Sequence, residues 1–246
     1  MPNPTAAMLT IGDEILSGRT RDSNMPHLAQ ALAAAGIDLR EARTVPDVAA
    51  EIVAAVNALR ARYDHVFTSG GIGPTHDDIT ADCIAAAFGV GIDVRADARA
   101  ILATNYANPE VELNPARLRM ARIPVGATLI DNPVSKAPGF TLGNVHVMAG
   151  VPEVFQAMAA GLVPTLAGGA PLLSATVRAM HPEGLLAEPL GALAAAHPDV
   201  AIGCYPFNRG GVFGANVVLR STDAAALTAA ERGLAAALHA LAARAD

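Results

Sequence analysis

Thr68-Ser-Gly-Gly-Ile-Gly-Pro-Thr-His-Asp-Asp-Ile-Thr80 decides how this chain is read. Residues 63–69 predict a buried strand, with Val66 and Phe67 apolar and β-prone. Gly70, Gly71 and Gly73 then open a loop almost free of side chains, and Pro74 stiffens it. Thr75, Asp77 and Asp78 precede a run that predicts a helix from about Ile79 to Phe88, stopped by Gly89. Strand, glycine turn and capped helix start together place bare backbone N–H groups at a helix N-terminus, which suits a phosphate or pyrophosphate. The adjacent carboxylates Asp77 and Asp78 would repel that anion unless a Mg²⁺-type ion sits between them. A tight connection with ordinary capping residues is the plainer alternative. The glycine run, the acidic pair and Thr80 occurring together favour the anion site. The spacing is neither that of a P-loop nor that of a dinucleotide-binding fingerprint.

The strand on one side of this loop and the helix on the other belong to an alternating series. Strands are predicted over residues 6–11, 38–45 and 65–69, with helices over 27–35, 49–61 and 79–88. That is the pattern of a parallel α/β sheet. Helices over 96–107 and 114–121 follow. Strands over 128–130, 139–142 and 145–149 come next, with Leu142-Gly-Asn-Val145 as a tight hairpin between the last two. A helix over 151–166 closes the series. Ala167-Gly-Gly-Ala-Pro171 reads as a linker, after which the rhythm becomes strand, helix, strand, strand, helix. Two domains are therefore expected, 1–167 and a small α+β domain over 172–246.

Composition bounds the partners. The chain has 246 residues, 52% hydrophobic and 16% charged, so it can bury a sizeable core. Its net charge of −6 argues against a nucleic-acid partner held through phosphates. No signal peptide and no membrane-spanning run are visible, so a cytoplasmic protein is the expectation. Cys83 and Cys204 are far apart and form no metal or disulfide pattern.

Ligands of a parallel sheet collect beyond the carboxyl ends of its strands. Asp13 and Glu14 leave the first strand there, in Gly12-Asp-Glu-Ile-Leu-Ser-Gly18, and read either as site carboxylates or as a solvated turn. Asp47 leaves the second strand. It is either an N-cap of the next helix or a site residue at the same edge as Asp78. Lys136, in Asn132-Pro-Val-Ser-Lys-Ala-Pro-Gly139, is a counter-charge for phosphate or an exposed lysine. Asn114, Arg117 and Arg119 lie on a helix that could cover the crevice. His181 and His197 read as surface histidines.

Taken in order, Gly12–Gly18, Asn24, Val45-Pro-Asp47, the glycine loop and Gly150-Val-Pro-Glu153 resemble the molybdopterin-binding (MoaB/Mog-like) domain. The closest version is the N-terminal part of the competence/damage-inducible protein A (CinA) family. The small domain resembles the KH-like piece that follows it there, and the family's C-terminal amidohydrolase domain is expected to be absent. The resemblance implies a three-layer α/β/α fold with a mostly parallel sheet, and a homo-oligomer, dimer or trimer. It implies one of two chemistries. One is adenylation or metal loading of molybdopterin. The other is hydrolysis of the pyrophosphate of ADP-ribose with a divalent metal (Mg, Mn or Co) and potassium. Ile72 stands where the molybdopterin branch usually has Thr, which favours the hydrolase branch. Ala149 replaces the family's usual Pro. By the same resemblance, Asp47 and Asp78 fall where the molybdopterin branch has functional aspartates.

The expectation is a metal-dependent hydrolase of a nucleotide-linked pyrophosphate, with a pterin-binding module as the alternative. Catalysis falls to Asp78 and Asp47, and phosphate binding to Gly70, Gly71, Gly73, Thr75, Thr80 and Lys136. Metal ligands come from Asp13, Glu14, Asp77 and Asp78.

Overall fold

Alternation along the first strand divides the first part of the protein into layers. The structure, a computed structural model, describes residues 2–243. Strand β1 (Thr5–Ile11) sends Ala7, Leu9 and Ile11 into one apolar cluster and Ala6 and Met8 into another, because successive side chains of a strand leave opposite faces. After the short helix α1 (Asp13–Leu16), α2 (Asn24–Ala34) turns Leu28 and Leu32 to the second cluster. Strand β2 (Asp38–Val45) leads into α3 (Ala49–Arg60), whose Ile52, Ala55, Val56 and Leu59 meet the first cluster at helical spacing. In β3 (His65–Ser69), Val66 joins the first cluster and Phe67 the second. Helix α4 (Thr80–Phe88) adds Cys83, Ile84 and Ala87 to the first, and Gly89 ends it in the left-handed region.

A connecting segment follows: β4 (Ile92–Val94), α5 (Ala96–Ala103), α6 (Pro109–Glu112) and α7 (Pro115–Leu118). A tighter turn at Arg119–Ala121 then leads to β5 (Arg122–Pro124), which pairs antiparallel with β4. β6 (Thr128–Ile130), β7 (Gly139–Leu142) and β8 (Val145–Met148) return to the main sheet. Helix α8 (Pro152–Leu162) buries Val154, Phe155, Met158 and Ala159 in the second cluster, with Pro152 in its first turn.

Among the described residues these strands form a six-stranded sheet in the order β2-β1-β3-β8-β7-β6. β1 with β2, β1 with β3, and β3 with β8 are parallel, while β7 with β8 and β6 with β7 are antiparallel. Helices cover both faces, so this is a three-layer α/β/α domain with a mostly parallel sheet. Phe67, Phe140 and Phe155 are fully buried, each worth about 1.5–3 kcal/mol relative to an exposed side chain.

Several expected boundaries shift. The helix expected over 96–107 stops at Ala103, and the one over 114–121 is α7 plus the tighter turn. Strands β4 and β5 and helices α1 and α6 carried too few residues for a periodic signal.

The chain divides into two compact units, Met1–Gly169 and Ala170–Asp246. The second contains β9 (Leu173–Ala179), α9 (Glu183–Ala196), β10 (Ala201–Arg209), β11 (Val212–Ser221) and α10 (Ala224–Ala242). Its antiparallel sheet, ordered β10-β11-β9, packs Ala215, Val217 and Leu219 against Leu186, Leu193, Leu227 and Leu234 of the two helices. Asp223 caps α10 by accepting from the N–H groups of Ala225 at 2.7 Å and Ala226 at 3.2 Å. No described helix is long and apolar enough to cross a membrane.

Candidate functional site

Register brings the strand ends to one level. Ile11 pairs with Val45, Thr10 with Ser69, and Ser69 with Met148. The loops that leave these four parallel strands therefore begin side by side, at Gly12, Pro46, Gly70 and Ala149. Between them lies a cleft of about 560 Å³, lined among others by Glu14, Arg19, Asp47, Gly70, Gly71, Gly73, Asp77 and Asp78. That volume is ordinary for a small-molecule site.

The glycine loop is held by close backbone contacts. Gly70 has φ +108°, and a Cβ there would collide with the carbonyl oxygen of Ile11; Gly71 has φ +69°, and a Cβ would collide with Thr80 Oγ1. Thr80 is fully buried and pins the loop from below: its Oγ1 donates to Gly70 O at 3.0 Å and its N–H to Gly71 O at 3.0 Å. Gly70 N–H donates to Met148 O at 3.3 Å. Among the described residues, the N–H groups of Gly71, Ile72 and Gly73 have no hydrogen-bond partner. Asn24, 4% exposed, ties the edge together by donating to Ser69 Oγ at 2.9 Å and Gly150 O at 2.8 Å.

The acidic groups have distinct surroundings. Asp78 Oδ2 accepts from Thr75 N–H at 2.8 Å and from Thr75 Oγ1 at 2.5 Å, and the Asp78 carbonyl accepts from Arg119 Nη2 at 2.9 Å. Asp47 Oδ2 accepts the N–H of Asp13 at 3.0 Å. Burial pushes the Asp47 carboxyl above the usual carboxylate range. The Asp13 N–H works against that shift, and the charges of Asp13, Glu14 and Asp77 add to it.

The structure revises several sequence expectations. Asp47 is not the cap of the helix that follows it, since Val48 is the N-cap of α3 and no side chain caps that end; its carboxylate caps α1 instead. Thr80 and Gly70 N–H are committed within the protein, so Thr80 shapes the loop rather than facing a ligand. Thr75 is exposed, lies outside the cleft lining and serves Asp78. Asp13 is exposed, lies outside the lining and contributes its N–H. Lys136 sits at φ 59° and does not line the cleft; from its loop Asn132, Ser135 and Ala137 do.

Asn132 is 1% exposed and organises that loop, donating to Ser135 Oγ at 2.7 Å and Ala137 O at 2.8 Å. Of the cationic helix, Arg119 reaches the site through Asp78 O. Arg117 packs over Tyr106 at 4.7 Å, and Asn114 caps α7 by accepting Arg117 N–H at 3.0 Å. Arg19 lines the cleft, and sequence reading missed it because an arginine after Gly18 matches no spacing rule. Cys83 is buried and its thiol is pushed up to about 11 by that burial, which makes it inert.

Among the described residues, no three His, Cys, Asp or Glu side chains converge in a way that could hold a metal ion. The donors that line the cleft (Glu14, Asp47, Asp77 and Asp78) still fit a Mg²⁺-type ion, which takes one or two carboxylates and completes its shell with water and substrate phosphate.

A three-layer α/β/α domain with an anion-suited glycine loop at the carboxyl edge of its parallel strands defines the class. The chain belongs to the family described as probable molybdopterin binding domain, which its residues 7–168 match. Residues 171–245 match the family described as FAD synthase, middle domain. A solved structure of the protein CinA of unknown function from Thermoplasma acidophilum is 35% identical with a TM-score of 0.59, over 63% of this chain and 93% of that one. A CinA-like protein of Desulfosudis oleivorans is 37% identical over 80% of this chain and 51% of its own length. One from Gemmatimonas aurantiaca is 35% identical over 82% and 50%. The chain thus spans about half the length of these curated relatives.

Proposed function

We propose that the cleft hydrolyses the pyrophosphate bond of a nucleotide-linked substrate such as ADP-ribose. The observation that carries this reading is the convergence on one cleft of three unpartnered loop N–H groups with four carboxylates, one of them raised by burial. The N–H groups of Gly71 and Gly73 hold one phosphate of the substrate. One or two of Glu14, Asp77 and Asp78 would hold a divalent ion such as Mg²⁺, Mn²⁺ or Co²⁺, with water and substrate phosphate completing its shell. That ion would offset phosphoryl charge and acidify the attacking water. Asp47, its carboxyl raised above the usual carboxylate range by burial, accepts the proton of the water whose oxygen bonds to phosphorus. The phosphorus–oxygen bond to the second phosphate breaks, and that phosphate leaves. Ile72, apolar where the pterin branch usually carries Thr, supports a substrate other than molybdopterin.

A product-resolved screen of ADP-ribose, FAD and NADH with each metal, with and without potassium, tests the reading; AMP release is the expected result. The matched family description favours a second reading, a pterin-binding module without turnover. Saturable pterin binding with no product from any dinucleotide would select it.

A further inference from the structure

The strands of the small unit carry one sign of charge. β9, β10 and β11 hold Arg178, Arg209 and Arg220 and no Asp, Glu or Lys. Register and alternation put these arginines on a single face. Tyr205 pairs with Asn216, which pairs with Arg178; Phe207 pairs with Gly214, Arg209 with Val212, and Ala201 with Arg220. The opposite face is the one packed under α9 and α10 through Ala179, Ala215, Val217 and Leu219.

Two aromatic rings lie down on the arginine face. Tyr205 ring atoms come within 2.9–3.2 Å of where a Cβ on Gly203 would stand, and Phe207 Cζ within 2.5 Å of the corresponding point on Gly214. The glycines make room for the rings. Tyr205 is 52% exposed, and the Arg178 guanidinium stacks 4.6 Å over the Phe207 ring.

We infer that this sheet face binds single-stranded nucleic acid, with bases stacked on Tyr205 and on the Arg178–Phe207 pair and phosphates met by Arg209 and Arg220. Charge complementarity selects an anionic partner, and flat rings with an arginine plane select planar bases. Two stacking positions, two residues apart on one strand and so about 7 Å apart, favour successive bases over one free nucleotide. The net charge of −6 masks this patch, because the acids of the unit (Glu183, Glu188, Asp199, Asp223 and Glu231 among its described residues) lie in helices and loops.

Fluorescence anisotropy of the full chain with labelled single-stranded oligo(U) and oligo(A), against a duplex and against ATP, tests the inference. Saturable binding is expected in about the micromolar range, at least ten-fold tighter for single strands than for the duplex. The two phosphate contacts, from Arg209 and Arg220, predict a log–log salt slope of about −1.4, and Arg220→Ala should shallow it by about 0.7. Tyr205→Ala should weaken binding about ten-fold or more, while Tyr205→Phe, which keeps the ring, should bind as the wild type does. Circular dichroism confirms that each variant is folded. No saturable binding, equal affinity for duplex, or wild-type affinity in Tyr205→Ala would overturn the inference. ATP binding as tightly as the oligomers would assign the face to a mononucleotide. Loss of a dimer in Tyr205→Ala, seen by light scattering, would assign it to a second copy of the chain.

Discussion

The Asp47 carboxylate accepts the backbone N–H of Asp13 at 3.0 Å, joining the ends of two adjacent parallel strands across 34 residues of sequence. The same carboxyl is raised by burial and by its acidic neighbours. One side chain therefore caps α1 and places a raised carboxyl at the cleft.

The two roles separate by substitution. Asp47→Asn keeps an oxygen for the Asp13 N–H and removes the charge. It should leave stability unchanged or slightly improved at neutral pH, because the ionised form is the one the fold disfavours. Asp47→Ala loses the cap and should cost about 1 kcal/mol in chemical unfolding. Turnover should fall by about 100-fold or more in both. A fully active Asp47→Asn would remove it from the mechanism.

Thr80 offers a way to disturb the glycine loop without altering the residues that line the cleft. Thr80→Val keeps its volume and removes the hydroxyl that Gly70 O accepts. About 1–3 kcal/mol of stability should be lost, and affinity for the pyrophosphate substrate should drop with it in calorimetry. Gly71→Val is a blunter probe than its sequence position implies: its Cβ would strike Thr80 Oγ1, so it should destabilise the domain as well as block binding. Native affinity in a folded Thr80→Val would show that the loop does not need its pin.

Acid should weaken the first domain through His146. This ring is 3% exposed, its Nε2 lies 3.1 Å from His65 Nδ1, and its Nδ1 lies 2.9 Å from Thr141 Oγ1. Burial, followed by the His65 charge, lowers its pKa from 6.5 to about 4. Between those values the unfolded chain binds more protons than the folded one. The stability is therefore complete above pH 6.5 and declines as pH falls toward 4, by about 3 kcal/mol. His65, also lowered by burial, acts in the same direction. His146→Gln should flatten the pH dependence of the urea midpoint; an unchanged slope would contradict this.

The succession of strands and helices in the α/β half and the glycine loop were legible because they rest on local signals: alternation in β1 and β3, helical spacing in α3, and backbone demands at Gly70 and Gly71. What escaped depends on contacts between distant segments. Asp47 follows a Val-Pro pair directly before a helix, so its partner 34 residues earlier leaves no trace in the spacing. Thr80 resembles a phosphate ligand in sequence, and only its burial shows that its hydroxyl is spent on Gly70. Arg178, Tyr205 and Arg220 sit on three separate strands, and only register makes them one surface.

A chain ending at Gly169 should fold and keep the affinity of the cleft. Gly169 N–H donates to Gly36 O at 3.0 Å, so the cut belongs after it rather than at Ala167. The cleft residues all lie before it. The effect of removing the small unit should appear in oligomeric state, read by sedimentation. A truncated protein that is folded yet binds no ligand of the full chain would place part of the site in the small unit.

The most direct test follows ADP-ribose by ³¹P NMR with the full chain and Mg²⁺. The account predicts that the two coupled pyrophosphate signals give way to two monoester signals, those of AMP and ribose 5-phosphate, and that Asp78→Asn, folded by circular dichroism, leaves the pyrophosphate intact. Pyrophosphate signals that shift on binding yet never convert with the wild-type protein, whichever divalent metal is supplied, would contradict it.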